Sequence, residues 1–334
     1  MNTKEQILEI LDKSRDRYLS GSALSRELGL TRAAVWKAVR QLSGEGYEIE
    51  SSRQGYRLGG NSDALSEYSL RKYLGEEASL FDLTVFQETG STNDYLKKQA
   101  PGLTGEDSPG GGGKWHAVIA SSQTAGRGRK GRSFLSPPGT GVYLSILLRP
   151  ETDAGTATRI TTAAAVAACL AIEENTDEKP VIKWVNDVFI RGKKVCGILT
   201  EASLDMESGN IEWAVMGIGF NIYEPEGGFP DELKDIAGAV SGRRENDLRS
   251  RIAAGFLKRF TALCLDLNNA VFQEEYRKRC FLIGQNINVL SGNSVKPAQA
   301  LDIDSECHLI VRYEDGTEEA LSSGEVSVRK ANDQ

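Results

Sequence analysis

The chain is 334 residues long, 40% hydrophobic and 26% charged, with a formal net charge of −7; that length predicts two or three domains, and that composition a well-cored globular protein rather than a disordered or fibrous one. Five cysteines, odd in number and without a Cys-x-x-Cys pair, argue against a disulfide framework or a zinc site, and two histidines leave little material for His-based metal ligation or a Ser-His-Asp triad. Met1 to Glu5 does not open as a signal peptide and the longest apolar run, Ala163 to Ile172, is too short for a bilayer, so a cytoplasmic location without membrane association is expected.

Residues 1–60 carry ten Lys/Arg against eight Asp/Glu, a mildly basic head on an acidic body. Ile7, Leu8, Ile10 and Leu11 predict one amphipathic helix, and Ala23, Leu24 and Leu28 a second; Gly29-Leu30 make the turn, and Thr31 caps a third helix carrying Ala34, Val35, Val39 and Leu42 inward. This is helix-turn-helix spacing. Arg32, Trp36, Lys37 and Arg40 fall on faces free to meet phosphates and bases, with Ser22 and Thr31 as further candidate DNA contacts. Tyr47–Glu50 and Tyr56–Leu58 alternate about Ser52-Arg53-Gln54-Gly55, which predicts a wing with Arg53 near its tip. The competing reading is a three-helix unit that packs on its neighbour or contacts protein.

Further on, the strand Leu83–Phe86 runs into Ser91-Thr92-Asn93-Asp94, where Ser91 or Thr92 either caps a helix over 94–99 or binds a ligand. Residues 101–116, with Gly110 to Gly113, read as a surface excursion without chemistry. The strand Ala117–Ala120 then leads to Gly126-Arg127-Gly128-Arg129-Lys130-Gly131-Arg132. Its glycine spacing matches a dinucleotide fingerprint, but Ser136-Pro137-Pro138-Gly139 cannot open the helix that fingerprint requires, and no Lys-Ser or Lys-Thr makes it a P-loop. A flexible cationic loop between two strands remains, Val142–Leu148 being the second; it either wraps an anionic small molecule or is a solvated basic loop.

A buried Ala-rich helix over 158–172 is followed by Val181 to Ile190, a strand interrupted by the polar pair Asn186-Asp187, which must be satisfied or used. A turn at Arg191-Gly192-Lys193 leads to the return strand Lys194–Glu201, which leaves the Lys194 ammonium near the hairpin end. Trp213–Ile222 forms a third strand whose Gly217 and Gly219 mark close approach of a ligand or another backbone. From about Phe281, short strands over 286–290, 298–303, 308–312 and 325–328 predict a small β-barrel or a generic packing module, with His308 an ordinary strand residue.

Taken together, the Gly/Arg loop, Lys183-Trp184-Val185-Asn186-Asp187, Lys194-Val195-Cys196-Gly197-Ile198-Leu199 and Gly217-Ile218-Gly219-Phe220-Asn221 strongly resemble the biotin–protein ligase family over nearly the whole chain. With the head in front, the resemblance is to the family's bifunctional kind, both ligase and repressor of biotin synthesis genes. It implies an α+β protein: a winged helix-turn-helix over 1–62, a central mixed α/β catalytic domain with a largely antiparallel sheet over 66–278, and a small SH3-like β-barrel over 281–330. It also implies ATP and Mg²⁺ as cofactors, with biotin as substrate. Biotinyl-5′-AMP forms first; a lysine of the biotin carboxyl carrier domain of acetyl-CoA carboxylase then takes the biotinyl group. Operator DNA of biotin genes is the further partner, biotinyl-5′-AMP the corepressor, and a ligand-bound homodimer the expected assembly.

Residue by residue, the resemblance makes Lys194, Arg127 and Arg129 catalytic. Ser91, Thr92, Asn93 and Gln123 would bind the ureido ring, Gly126, Arg127, Gly128, Arg129 and Lys194 would also hold biotin, and Gly197, Gly217 and Gly219 would make room for its rings and chain. Arg129, Arg132, Asn186, Asp187 and Asn221 would face ATP or its Mg²⁺, with the direct metal ligands left unassigned. Val185 stands where the family usually has Pro, and Phe134 where some members carry Trp. Two alternatives stay open: a biotin-sensing transcription factor without transfer activity, and an enzyme whose head only packs or binds protein.

Overall fold

The computed structural model describes residues 3–104, 107, 112–150, 155–267, 270–291 and 294–328. The head consists of α1 (Thr3–Lys13), α2 (Gly21–Leu28) and α3 (Arg32–Gly44), followed by a hairpin of β1 (Ile49–Ser52) and β2 (Gly55–Leu58). Local chemistry sets the boundaries: the Ser20 hydroxyl accepts from Ala23 N at 3.1 Å to start α2, Gly29 ends it at φ +66°, and the Thr31 hydroxyl accepts from Ala34 N at 3.1 Å to start α3. Ile7, Leu8, Leu11, Leu24, Val35, Val39 and Leu42 meet in a core of the head's own. The first wing strand starts two residues later than its pattern predicts, because Tyr47, only 5% exposed, is drawn into that core.

The central domain runs α4 (Glu67–Leu74), β3 (Phe81–Phe86), α5 (Thr92–Gln99), β4 (Trp115–Ala120), β5 (Gly141–Leu148), α6 (Thr156–Asn175), β6 (Val181–Lys183), β7 (Asp187–Ile190), β8 (Lys193–Leu204), β9 (Ile211–Asn221), α7 (Leu248–Cys264) and α8 (Ala270–Arg279). Its seven strands are ordered β3-β4-β5-β9-β8-β7-β6 and pair antiparallel except for β3 with β4. Period-two alternation splits the sheet between two helical layers. Ala117, Ile119, Ile146 and Met216 share a core with α6 and α7, whereas Val118, Leu147 and Val215 pack on Leu96 of α5. The small Ala side chains of α6, buried almost continuously from Ile160 to Ile172, let the sheet and α7 approach it from different sides.

The expected single strand over 181–190 is instead two. Lys183 pairs with Asp187 across a tight corner at Trp184–Asn186, so the polar pair sits at a bend rather than in mid-strand. The Trp184–Val185 peptide at this corner is cis.

The C-terminal domain is an antiparallel sheet of β10 (Asn286–Ser291), β11 (Ser294–Ile303), β12 (Leu309–Tyr313), β13 (Glu318–Leu321) and β14 (Glu325–Val328), ordered β13-β12-β11-β10-β14. One strand more than expected is present, since β13 reads Glu-Glu-Ala-Leu and carries no alternation to find. His308 lies just before β12 and contacts the Asp304 carboxylate at 3.1 Å. All five cysteines are free, and no helix among the described residues is long and apolar enough to cross a membrane. Residues 105–106 and 108–111 of the Gly-rich excursion, Gly292 and Asn293 of the expected turn, and 329–330 at the expected domain end lie outside the described residues.

Candidate active site

A cleft of about 510 Å³ opens over the sheet face that carries α5, within the size range of small-molecule sites. The register explains its floor: Ser145 lies opposite Gly217, Gly217 opposite Leu199, and Gly219 opposite both Tyr143 and Gly197. Alternate residues 197, 199, 217 and 219 therefore point into one space.

One end of the cleft is a string of mutually satisfied polar groups. Ser91 caps α5 by accepting from Asp94 N at 3.3 Å and also lines the cleft, so capping and lining coexist in one residue. Gln123 Oε1 accepts from Thr92 N at 2.9 Å and from the Thr92 hydroxyl at 3.2 Å, while its Nε2 donates to Ser136 Oγ at 3.1 Å. The buried Ser145 hydroxyl lies 2.7 Å from Thr92 Oγ1 and donates to Asn93 Oδ1 at 2.6 Å. Asn93 Nδ2 donates to Glu201 Oε2 at 2.8 Å and to Leu199 O at 3.3 Å. Each amide is thus fixed in orientation, and the string is organised before a ligand arrives. A Cβ on Gly217 would overlap the Asn93 carboxamide, and one on Gly219 would stand 2.5 Å from Phe134 Cε1. In this structure Asn93 and Phe134 themselves fill the room those two glycines leave.

The Gly/Arg loop is more ordered than a flexible loop. Gly128 N donates to Arg132 O at 2.7 Å and Phe134 N to Gly126 O at 2.9 Å, closing a short hairpin. Its cations reach to three sides: Arg127 pairs with Asp94 at 2.6 Å, Arg129 donates to Asn186 Oδ1 at 3.2 Å, and Arg132 and Lys130 pair with Glu325 of β14 at 2.8 and 3.4 Å. Burial would raise the Asp94 carboxyl, but hydrogen bonds from Lys97 and Arg127 outweigh it and hold it below its ordinary value.

Across the cleft, Lys194 Nζ lies 2.6 Å from Asp187 Oδ1 in an ion pair. The Lys194 backbone is clamped, its N–H donating to Ile236 O at 2.8 Å and its carbonyl accepting from Gly238 N at 2.9 Å. Lys183 lines the same wall; burial pushes its ammonium below its ordinary value, reinforced by Lys194 and Arg132 and opposed by Asp187 and Glu325. Six cations (Arg127, Arg129, Lys130, Arg132, Lys183, Lys194) against three acids (Asp187, Asp235, Glu325) give the cleft a positive excess suited to more than one anion.

Of the residues singled out in the sequence, Ser91, Thr92, Asn93, Gln123, Arg127, Gly128, Arg129, Arg132, Asn186, Asp187, Lys194, Gly197, Gly217 and Gly219 line this cleft. Gly126 and Asn221 do not: Gly126 is packed against Phe134 O and Ser136, and Asn221 ends β9 opposite Gly141. Lys183, Glu201, Ser145 and Glu325 went unrecognised. Lys183 and Ser145 left a trace, each a polar residue within an apolar strand. In the head, Arg32, Trp36, Lys37 and Arg40 are exposed on α3 and Arg53 is exposed in the wing turn; the Thr31 hydroxyl is occupied as a cap, and Ser22 sits half-buried in the first turn of α2.

A profile of the Biotin/lipoate A/B protein ligase family matches residues 91–221, an HTH domain profile residues 3–57, and a Biotin protein ligase C terminal domain profile residues 282–329. The chain is 33% identical over 325 residues to the "Bifunctional ligase/repressor BirA" of Bacillus subtilis, covering 96% of this chain and 97% of that one. It is 32% identical over 273 residues to the "Biotin--[acetyl-CoA-carboxylase] ligase" of Mycobacterium tuberculosis, covering 78% and 95%. Among solved structures, a single-residue mutant of biotin protein ligase from Aquifex aeolicus in complex with biotin superposes with a TM-score of 0.60 at 26% identity, over 75% of this chain and 99% of that one. Identity to the Bacillus subtilis protein along nearly the whole of both chains, together with the three matched domains, places this chain in the biotin protein ligase family.

Proposed function

We propose that the protein is an ATP-dependent ligase that activates biotin to biotinyl-5′-AMP and transfers it to a lysine of the biotin carboxyl carrier domain of acetyl-CoA carboxylase, and that it also represses biotin synthesis genes with biotinyl-5′-AMP as corepressor. The observation that carries it is one cleft holding both the polar string around Thr92, Asn93 and Gln123 and the cationic wall of Arg127, Arg129 and Lys194. A neutral ureido ring suits the first, and a carboxylate beside a triphosphate needs the second.

In the first step a biotin carboxylate oxygen bonds to the α-phosphorus and the bond to the β-phosphate bridging oxygen breaks, releasing pyrophosphate. Lys194, a compact point charge leaving Asp187, bridges the two anions, and Arg127 and Arg129 offset their repulsion. The Gly/Arg hairpin and Phe134 cover the mixed anhydride against water. In the second step the acceptor amine bonds to the acyl carbon, AMP leaves and the amine gives up a proton. Asp187 is the carboxylate suited to Mg²⁺, whose remaining ligands would be water and phosphate, and the ion supplies charge neutralisation there when bound. Arg132 and Asn186, which line the cleft, serve ATP, whereas Asn221 lies outside it. The cytoplasm is the working compartment, and division at 1–62, 66–278 and 281–330 separates the tasks.

Repression would need a ligand-bound homodimer placing two α3 helices on the halves of a palindromic operator. Incubation of the full chain with biotin, Mg-ATP and a carboxyl carrier domain should add one biotinyl mass to the acceptor, and Lys194→Ala should abolish the gain. Tight biotin binding without any gain would leave a sensor without transfer.

A further inference from the structure

Arg32, Trp36 and Arg40 follow one another at four-residue steps on α3, so they share one exposed stripe, with Lys37 beside it. Trp36 is 52% exposed, although Val35, Val39 and Leu42 of the same helix are buried in the head's core. The Arg40 guanidinium lies over its indole, 5.0 Å from the ring centroid. The head holds one comparable pair with a different outcome: Arg57 stacks on Tyr18 at 4.7 Å, but Glu50 pairs with that guanidinium at 2.7 Å and accepts from the Tyr18 hydroxyl. One of its donors is answered within the protein. Among the described residues no hydrogen bond or ion pair engages Arg32, Lys37 or Arg40.

Stacking fixes the plane of a guanidinium without consuming any of its five N–H donors. Arg40 therefore presents an oriented, unanswered fork on the helix that the helix-turn-helix sends into a major groove, and it gives up less rotamer freedom on binding than a free arginine. A phosphate accepts a guanidinium in several planes, because its oxygens point to all sides. Guanine accepts it in one, because O6 and N7 take two parallel donors in the plane of the base. We infer that Arg40, held over the Trp36 indole, reads a guanine in each operator half-site, while Lys37 makes a sequence-independent phosphate contact. This rests on the repressor reading proposed above.

The test uses the full chain with biotin and Mg-ATP, selecting from duplexes in which two half-sites are randomised. Enriched sequences should carry a guanine at one position per half-site. Arg40→Ala should lower preference for that guanine roughly 10- to 100-fold, Arg40→Lys should not restore it, and Trp36→Ala should weaken it. Lys37→Ala should weaken all sequences alike and flatten the salt dependence. Should an operator be enriched whose base preferences Arg40→Ala leaves unchanged at every position, the inference is overturned and the repressor reading stands. Should the full chain enrich no duplex while still biotinylating its acceptor, the repressor reading fails and this inference with it.

Discussion

The C-terminal domain meets the catalytic domain through apolar contact: Ile287, Ala300, Leu309, Val311 and Val326 belong to the same continuous core as Ile182, Trp184 and Tyr276. Trp184 Nε1 pins that seam by donating to Cys307 O at 3.0 Å, and on the catalytic side the Tyr276 hydroxyl holds the same corner by donating to Val185 O at 3.1 Å. The winged head meets the same domain through charge. Asp12 of α1 pairs with Arg15 and with Lys72 of α4, each at 2.7 Å, and Asp247 before α7 takes Arg15 at 3.1 Å, Lys72 at 3.2 Å and the Tyr73 hydroxyl at 2.8 Å. Both carboxylates are sheltered, with side-chain exposures of 7% and 3%. A shared apolar core makes two domains fold as one unit, whereas a polar junction between separate cores holds orientation and can be lost without unfolding either side.

Breaking the apolar seam should cost most. Trp184→Ala should destabilise the chain by about 3–5 kcal/mol, with catalytic and C-terminal signals still falling in one coincident thermal transition; two separated transitions would show that the seam is not shared. Next comes the junction. Asp247→Asn keeps a residue type that tolerates the left-handed φ of +52° found there, so what it removes is charge. Its cost, about 1.5–3 kcal/mol, should appear as an earlier melting of the head, with acceptor biotinylation unchanged and operator affinity lowered.

The pH dependence should separate the two interfaces further. Burial would raise the Asp12 carboxyl, but the bonds from Lys72 and Arg15 outweigh it and hold it below its ordinary 3.8. A depressed carboxyl stabilises above its unfolded pKa and stops doing so as the pH falls through the folded value. The advantage of the parent over Asp12→Asn in head stability should therefore be level above about pH 5 and shrink below it; an advantage that persists unchanged in acid would mean the ion pairs contribute nothing. The smallest effect should come from the exposed bridge between the Gly/Arg hairpin and β14. Glu325→Ala should change the melting free energy by less than about 1 kcal/mol, and a larger loss would mean the hairpin is part of the seam.

The head was legible in the sequence because its signals are local: the Thr31 cap, Gly29 and the apolar stripes need nothing beyond a few neighbours. The cleft was legible where chemistry clusters, at residues 91–93, 126–132 and 186–194. What register alone assembles was not. Ser145 matters because β5 sets it opposite Gly217, and Glu201 because β8 carries it to Asn93; neither pairing leaves a mark in the local sequence. The corner at Trp184–Asn186 left only part of its mark, since without Gly or Pro the polar pair Asn186-Asp187 reads as an interruption within one strand rather than as a bend between two.

Asp247 stands at the N-terminus of α7 yet makes no side-chain cap there; its carboxylate turns to Arg15, Lys72 and Tyr73 instead. One codon therefore carries a large share of the bond between head and body, beside the Asp12–Lys72 pair, while lying outside both the catalytic cleft and the DNA-facing helix. A cell carrying Asp247→Asn would grow normally on trace biotin and yet transcribe its biotin genes at vitamin concentrations that silence the parent, so a genetic screen that scores growth and derepression separately would collect alleles at this junction.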